Sequence, residues 1–207
     1  GFDEQMDRPV AIKVPGAALF DSEKARQEFL REARSVARLR HENIVAAYDF
    51  GQEPDGRCYI VYEFIEGMSL AERIQQGRLP HAEAAQLVAQ MAEALHYAHA
   101  QGLVHRDIKP QNILMNRQGR PYLADFGLAV REDELAKQRG VLTGTPAYMS
   151  PEQVRGEGHR IDPRTDIYSL GVVLYELLCG RRPFLGNDFQ ELYDQIQERE
   201  PRPPRTI

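Results

Sequence analysis

No apolar run in this chain approaches the ~18 residues that a membrane-spanning helix needs. The longest candidate, Leu170 to Cys179, is shorter and carries Glu176. The first residues, Gly1-Phe2-Asp3-Glu4-Gln5, do not read as a signal peptide. The chain therefore reads as soluble and cytoplasmic, with a tether elsewhere in a longer protein left open. Cysteine is scarce. Cys58 and Cys179 stand far apart, each in an apolar context, which suggests buried thiols in a reducing compartment rather than a disulfide. A basic surplus is also missing. The 26 Lys and Arg against 31 Asp and Glu leave a net charge of −5, which gives no support for a nucleic-acid partner. There is no internal repeat, and no low-complexity tract beyond the Pro-rich tail from Glu200 to Arg205.

What is present fills 207 residues, enough for one domain or one two-lobed unit with a sizeable core. Pro9 to Pro15 reads as a strand. Ser22 is placed to cap a helix from Glu23 to about Arg40, with Ala25, Phe29, Ala33, Val36 and Ala37 near helical spacing. Ile44 to Phe50 and Arg57 to Phe64 read as strands joined by the turn Glu53-Pro54-Asp55-Gly56, and Glu66-Gly67-Met68 as a linker. The second half is helical in pattern. His81 to Gln101 carries Leu87, Val88, Met91, Leu95 and Ala98 on one stripe. Thr165 to Cys179 is apolar on most sides, as a buried helix is, and Gly180 stops it. Asn187 to Glu198 is amphipathic, and the proline-interrupted tail after it reads as extended.

Two short runs carry the chemistry. The first is His105-Arg106-Asp107-Ile108-Lys109-Pro110-Gln111-Asn112, the second Asp125-Phe126-Gly127. Between them Ile113-Leu114-Met115 and Pro121-Tyr122-Leu123-Ala124 flank a polar turn containing Gly119, which reads as a hairpin. A hairpin holds Asn112 near Asp125, with Asp107 on the loop just before. Two hard oxygen donors and a carboxylate base in one small volume suit phosphoryl transfer assisted by Mg²⁺. Histidine is a weaker metal candidate. His96, His99 and His105 have no cysteine or acidic partner at zinc-site spacing, so His99 and His105 read as packing residues.

These two runs resemble the catalytic loop and the metal-binding motif of the protein kinase family. Other parts appear in the same order. Val10-Ala11-Ile12-Lys13 looks like the strand with the ATP lysine, Ser150-Pro151-Glu152 like the end of the activation segment, and Asp166 like the opening of the buried central helix. The resemblance covers nearly the whole chain and is closest in style to bacterial kinases of the eukaryotic type. It implies an α+β, two-lobed kinase-like fold. A small antiparallel sheet lobe with one helix would cover residues 1–65, and a larger helical lobe 66–207.

The resemblance also implies roles. Asp107 orients the proton of a substrate hydroxyl, and Lys109 sets an ammonium on the transferring phosphate. Lysine at that position is the serine/threonine pattern. Asn112 and Asp125 are the expected Mg²⁺ ligands. Lys13 contacts the α- and β-phosphates of ATP and is held by an ion pair with Glu32, with Glu28 one turn earlier as the alternative. Ala11 and Leu114 sandwich the adenine, the backbone of Glu63 and Ile65 bonds its edge, and Tyr62 narrows the rear of the pocket. Phe126 packs under the helix bearing Glu32, and Gly127 lets the backbone turn. The polar segment Leu128 to Met149 reads as one that moves. Thr145 marks Ser/Thr specificity, and phosphate on Thr143 would pair with Arg106.

Two family features are missing. No G-x-G-x-x-G precedes Lys13, and the last helices are absent with the arginine that usually pairs with Glu152. That leaves an expectation of an unpaired Glu152, and of a chain that is part of something larger. The leading reading is an ATP-dependent protein serine/threonine kinase acting on a protein substrate. A non-catalytic kinase-like module that binds nucleotide or a partner is the alternative. A small-molecule kinase is disfavoured by Thr145 to Glu152, which resembles a protein-substrate platform.

Overall fold

The computed structural model describes residues 1–16, 22–126, 146–186 and 188–206. Two antiparallel sheets and a set of helices make a mixed α+β fold. The first sheet has four strands: β1 (Phe2–Asp3), β2 (Arg8–Lys13), β3 (Ala47–Gln52) and β4 (Cys58–Glu63), in the order β1-β2-β4-β3. β2 runs beside β4 in the register Val10↔Glu63 to Lys13↔Ile60. The alternation in Cys58-Tyr59-Ile60-Val61-Tyr62 buries Cys58, Ile60 and Tyr62 on one face. Helix α1 (Glu23–Val36) covers that face through Phe29, Ala33 and Val36.

The Ser22 side chain accepts from the Ala25 N–H, so the expected cap is present. The helix ends at Val36, short of Arg40. The chain turns off the helical path and Leu39 is buried. The Arg40 guanidinium takes the carbonyls of the C-cap Ala37 and of Leu39 just beyond the helix.

The segment expected to be a linker is a strand. β5 (Gly67–Ser69) pairs with β6 (Ile113–Asn116), which pairs with β7 (Pro121–Leu123). A side chain at Gly67 would drive into the Met115 carbonyl and Asn116 backbone, so glycine is what lets β5 approach. Ser69 then caps α2 (Leu70–Gln75), a helix the sequence pattern left unmarked, with Glu72 completing a reciprocal capping box.

Helix α3 (His81–Ala100) and helix α5 (Pro163–Cys179) pack on each other at the centre. α5 is buried on most of its circumference and ends at Gly180, whose φ of 70° closes it in a left-handed cap. Helix α4 (Pro151–Val154) packs on α6 (Phe189–Glu198), and the turn Pro146–Tyr148 contacts both α5 and α6. The sheet and the helices share one hydrophobic core, from Phe29 and Ile60 through Met91, Leu95 and Val173 to Ile196. The stretch before β3 also ties to the hairpin. Val45 N–H donates to the Leu123 carbonyl at 2.9 Å, and the buried Asn43 amide to the Pro121 carbonyl at 2.8 Å. None of the described helices is long and apolar enough to cross a membrane.

Candidate active site

The loop before β6 hangs from one carboxylate. Asp166, in the first turn of α5, is fully buried. It accepts the backbone N–H of His105 at 2.8 Å and of Arg106 at 2.7 Å, and the ring N–H of His99 at 2.7 Å. Such an arrangement answers the buried charge with donors instead of water. His105 has no exposed surface. Its Nδ1 accepts the Asp107 N–H at 3.3 Å, which leaves Nε2 to donate to the Ala124 carbonyl at 2.9 Å. The ring also packs on Phe126, centroid to centroid 4.4 Å.

Two residues here hold a left-handed backbone without being glycine: Arg106 at φ 69° and Asp125 at φ 64°. Each such conformation costs about 1 kcal/mol or more and persists only where the surroundings over-determine it. At Arg106 they do. Asp166 takes its N–H, and its carbonyl accepts the Gln153 amide at 2.7 Å. Gln153 lies on α4, so the loop and the Ser150-Pro151-Glu152 stretch are bound together. The Arg106 Nε is buried and has no hydrogen-bond partner among the described residues.

The carboxylate of Asp107 is fixed from two sides. Lys109 Nζ lies 2.8 Å from Oδ2, and the Asn112 amide donates to Oδ2 at 2.7 Å and to the Asp107 carbonyl at 2.9 Å. Both amide donations come from Nδ2. The Asn112 side-chain oxygen is therefore the atom left for a cation. Across the cleft Lys13 Nζ stands 3.1 Å from Asp125 Oδ2. The expected ion pair of Lys13 was with Glu32; in the structure its ammonium meets Asp125. Glu32 lies close enough for its charge to be felt at the Tyr62 phenol. Burial, then Asp125, then Glu32 push that phenol well above the ordinary tyrosine range. The Tyr62 hydroxyl itself is buried with no hydrogen-bond partner among the described residues.

A cavity of about 500 Å³ opens between the two sheets. Ala11, Lys13, Glu63, Ile65, Leu114 and Asp125, all singled out in the sequence, line it. Sequence reasoning missed Val45, Met68 and Gln111, which also line it; their positions depend on β5 and on the link from Val45 to Leu123. Glu152 is not left alone. The Thr165 hydroxyl donates to it at 2.6 Å. Burial raises its pKa, but the hydroxyls of Thr165 and Ser150 outweigh that and hold it below the usual carboxylate range. Gly127, Thr143 and Thr145, with the rest of the segment up to residue 145, lie outside the described residues.

The protein kinase domain model matches residues 1–204. Among curated proteins, the chain is 44% identical to the serine/threonine-protein kinase PknL of Mycobacterium bovis, over all of this chain and 52% of that protein. It is 39% identical to the DNA damage-responsive serine/threonine-protein kinase RqkA of Deinococcus radiodurans, over 97% of this chain and 30% of that one. With PknB of Mycobacterium leprae the identity is 37%, over 98% and 33%. The chain thus spans from about half to less than a third of the length of these relatives. It belongs to the protein kinase family, and its likeness runs to that family's bacterial serine/threonine kinases.

Proposed function

We propose that this chain moves the γ-phosphoryl group of ATP onto a serine or threonine hydroxyl of a protein substrate. The observation that carries the reading is the Asp107 carboxylate, pinned by Lys109 and Asn112, with the Asn112 carbonyl bonded by the N–H of Ala124, the residue before the Asp125 that pairs with Lys13. Asp107 accepts or orients the hydroxyl proton. Lys109 offsets charge on the transferring phosphate, and Lys13 holds the α- and β-phosphates with Glu32 behind it. Ala11 and Leu114 enclose the adenine, and the backbone of Glu63 and Ile65 bonds its edge. The Asn112 side-chain oxygen and the Asp125 carboxylate are hard donors that fit Mg²⁺, which when bound neutralises phosphate charge. Thr145 assists at Asp107 and Lys109, and phosphate on Thr143 answers the buried Arg106. Arg106 Nε, buried without a partner among the described residues, supports that last role. The two free, buried cysteines fit a reducing cytoplasmic setting.

The test is incubation with Mg·ATP and a generic protein substrate beside Asp107→Asn, reading phosphate transferred and the amino acid that carries it. Expected is phosphoserine or phosphothreonine, reduced by about 10²–10⁴-fold in the variant. A folded, nucleotide-binding chain that transfers nothing would turn the reading to the non-catalytic binding module.

A further inference from the structure

A second cavity, of about 320 Å³, lies away from the nucleotide cleft, where the end of α5 meets the end of α6 and the tail. Arg181, Arg182, Arg199 and Arg202 line it, against one carboxylate, Glu200. In a chain of net charge −5, such a concentration of guanidinium groups is a local reversal of sign. Several arginines elsewhere on this surface have an acidic partner, among them Arg8 with Asp3, Arg57 with Asp55, Arg117 with Glu66 and Arg164 with Asp162. The four cavity arginines make no side-chain hydrogen bond or ion pair among the described residues.

Nor are they needed to finish the helix. The last carbonyls of α5 are served by Arg78, which donates to the Cys179 carbonyl at 3.0 Å, and by the Gly180 N–H, which donates to Glu176. All four line the one cavity, and two of them, Arg181 and Arg202, act on the same wall residue. Burial and Cys179 raise the pKa of the Tyr175 phenol on the cavity wall, while the charges of Arg181 and Arg202 both pull it down. Arg182 acts in the same sense on the phenol of Tyr148, in the turn Pro146–Tyr148 just before α4. The Tyr148 hydroxyl donates to Glu176, the neighbour of Tyr175, at 2.6 Å, which ties the cavity wall to the stretch that sequence reasoning assigned to protein substrate.

We propose that this cavity is a docking site for a phosphorylated segment of a protein partner. A phosphate carries about −1.5 to −2 charges and three acceptor oxygens, which several guanidinium forks satisfy together and a single carboxylate does not. The wall of Pro183, buried Phe184 and Leu185 supplies apolar contact beside the anion, which a free phosphate would not use and a peptide would. The proposal rests on the proposed function only in taking the partner to be a protein.

The test uses binding without turnover. A fluorescent peptide with one phosphothreonine in a neutral sequence is titrated with the whole chain, beside its unphosphorylated twin, its glutamate-substituted twin and inorganic phosphate. Expected is affinity about 10–100-fold tighter for the phosphopeptide than for either twin, weaker in high salt. The double variant Arg181→Gln, Arg202→Gln, at two exposed positions, should lose that margin. Arg181→Lys with Arg202→Lys should keep only part of it, because lysine lacks the fork. Affinity for a fluorescent ATP analogue should be the same in all of them, so failure here is separable from failure of the kinase reading. Equal binding of the peptides, full binding by the glutamine variant, or capture of inorganic phosphate with no gain for the peptide would overturn the assignment.

Discussion

On the helical side of the cleft, Asp166 takes three donors in full burial, and Asp107 is bonded by both Asn112 and Lys109. On the sheet side, Lys13 has one ion pair among the described residues, with side chains 26% and 35% exposed. The first region is over-determined and includes a left-handed Arg106 that only such a network sustains. The second is a charged clamp on a strand whose neighbour Ile12 is exposed. The contrast separates two jobs. On the proposed function, the groups that would orient a hydroxyl are held by several bonds, whereas the group that would grip and release a nucleotide is held by a contact that costs little to break.

The contrast can be broken most sharply at Asp166. Asp166→Ala orphans two backbone N–H groups and the His99 ring in a site with no access to water. The expected loss is about 3–5 kcal/mol, a fall in melting temperature on the order of 10 °C for a chain of this size. Thermal unfolding followed by circular dichroism reads it. A fall of a degree or two would mean that the loop stands without its anchor.

Tyr62→Phe tests the rear wall where the two sides meet. The Tyr62 hydroxyl is buried and unpartnered. Removing it should raise stability by about 1–2 kcal/mol, visible as a higher denaturant midpoint. A loss instead would show that the hydroxyl has a partner in solution.

Thr165→Val probes a smaller bond on the helical side. Its hydroxyl helps hold the Glu152 carboxyl below the ordinary value of 4.5. A depressed folded pKa contributes stability above the unfolded value, and that contribution disappears as pH falls through the folded one. Because Glu152 is only half-buried, the variant should cost about 1 kcal/mol at neutral pH. The difference should vanish in acid, below the pKa of folded Glu152. Paired denaturant titrations across that range check it, and a difference that persisted in acid would reject the charge-assisted bond.

Much of the fold was legible because it is local. Ser22 as a cap, the stripe of Leu87, Met91 and Leu95, the apolar run into Gly180 and the hairpin around Gly119 are written in spacing and turn chemistry. β5 was not legible, since Gly67 to Ser69 becomes a strand only by pairing with a segment far along the chain. The candidate site residues could be named from motifs, but their bonds could not. Lys13 facing Asp125, Gln153 reaching the Arg106 carbonyl and Thr165 serving Glu152 join elements that no periodicity connects. The arginine cavity was invisible for the same reason. Arg181 and Arg202 are separated by a helix and meet only after it folds back.

Lys13→Met gives the smallest expected change in stability and the cleanest test of the opposite side. A lone, partly exposed ion pair contributes from nothing to about 1 kcal/mol, and the methionine stem keeps most of the packing of lysine on β2. The melting temperature should therefore hardly move. Affinity for a fluorescent ATP analogue should fall about 10–100-fold, the worth of a charge-assisted contact to phosphate. The two readouts together matter more than either alone. A variant that unfolds as readily as Asp166→Ala would place Lys13 among the structural charges and erase the contrast across the cleft. A variant that stays folded and binds nucleotide as before would remove Lys13 from the phosphate site, leaving its ammonium as a mate for Asp125.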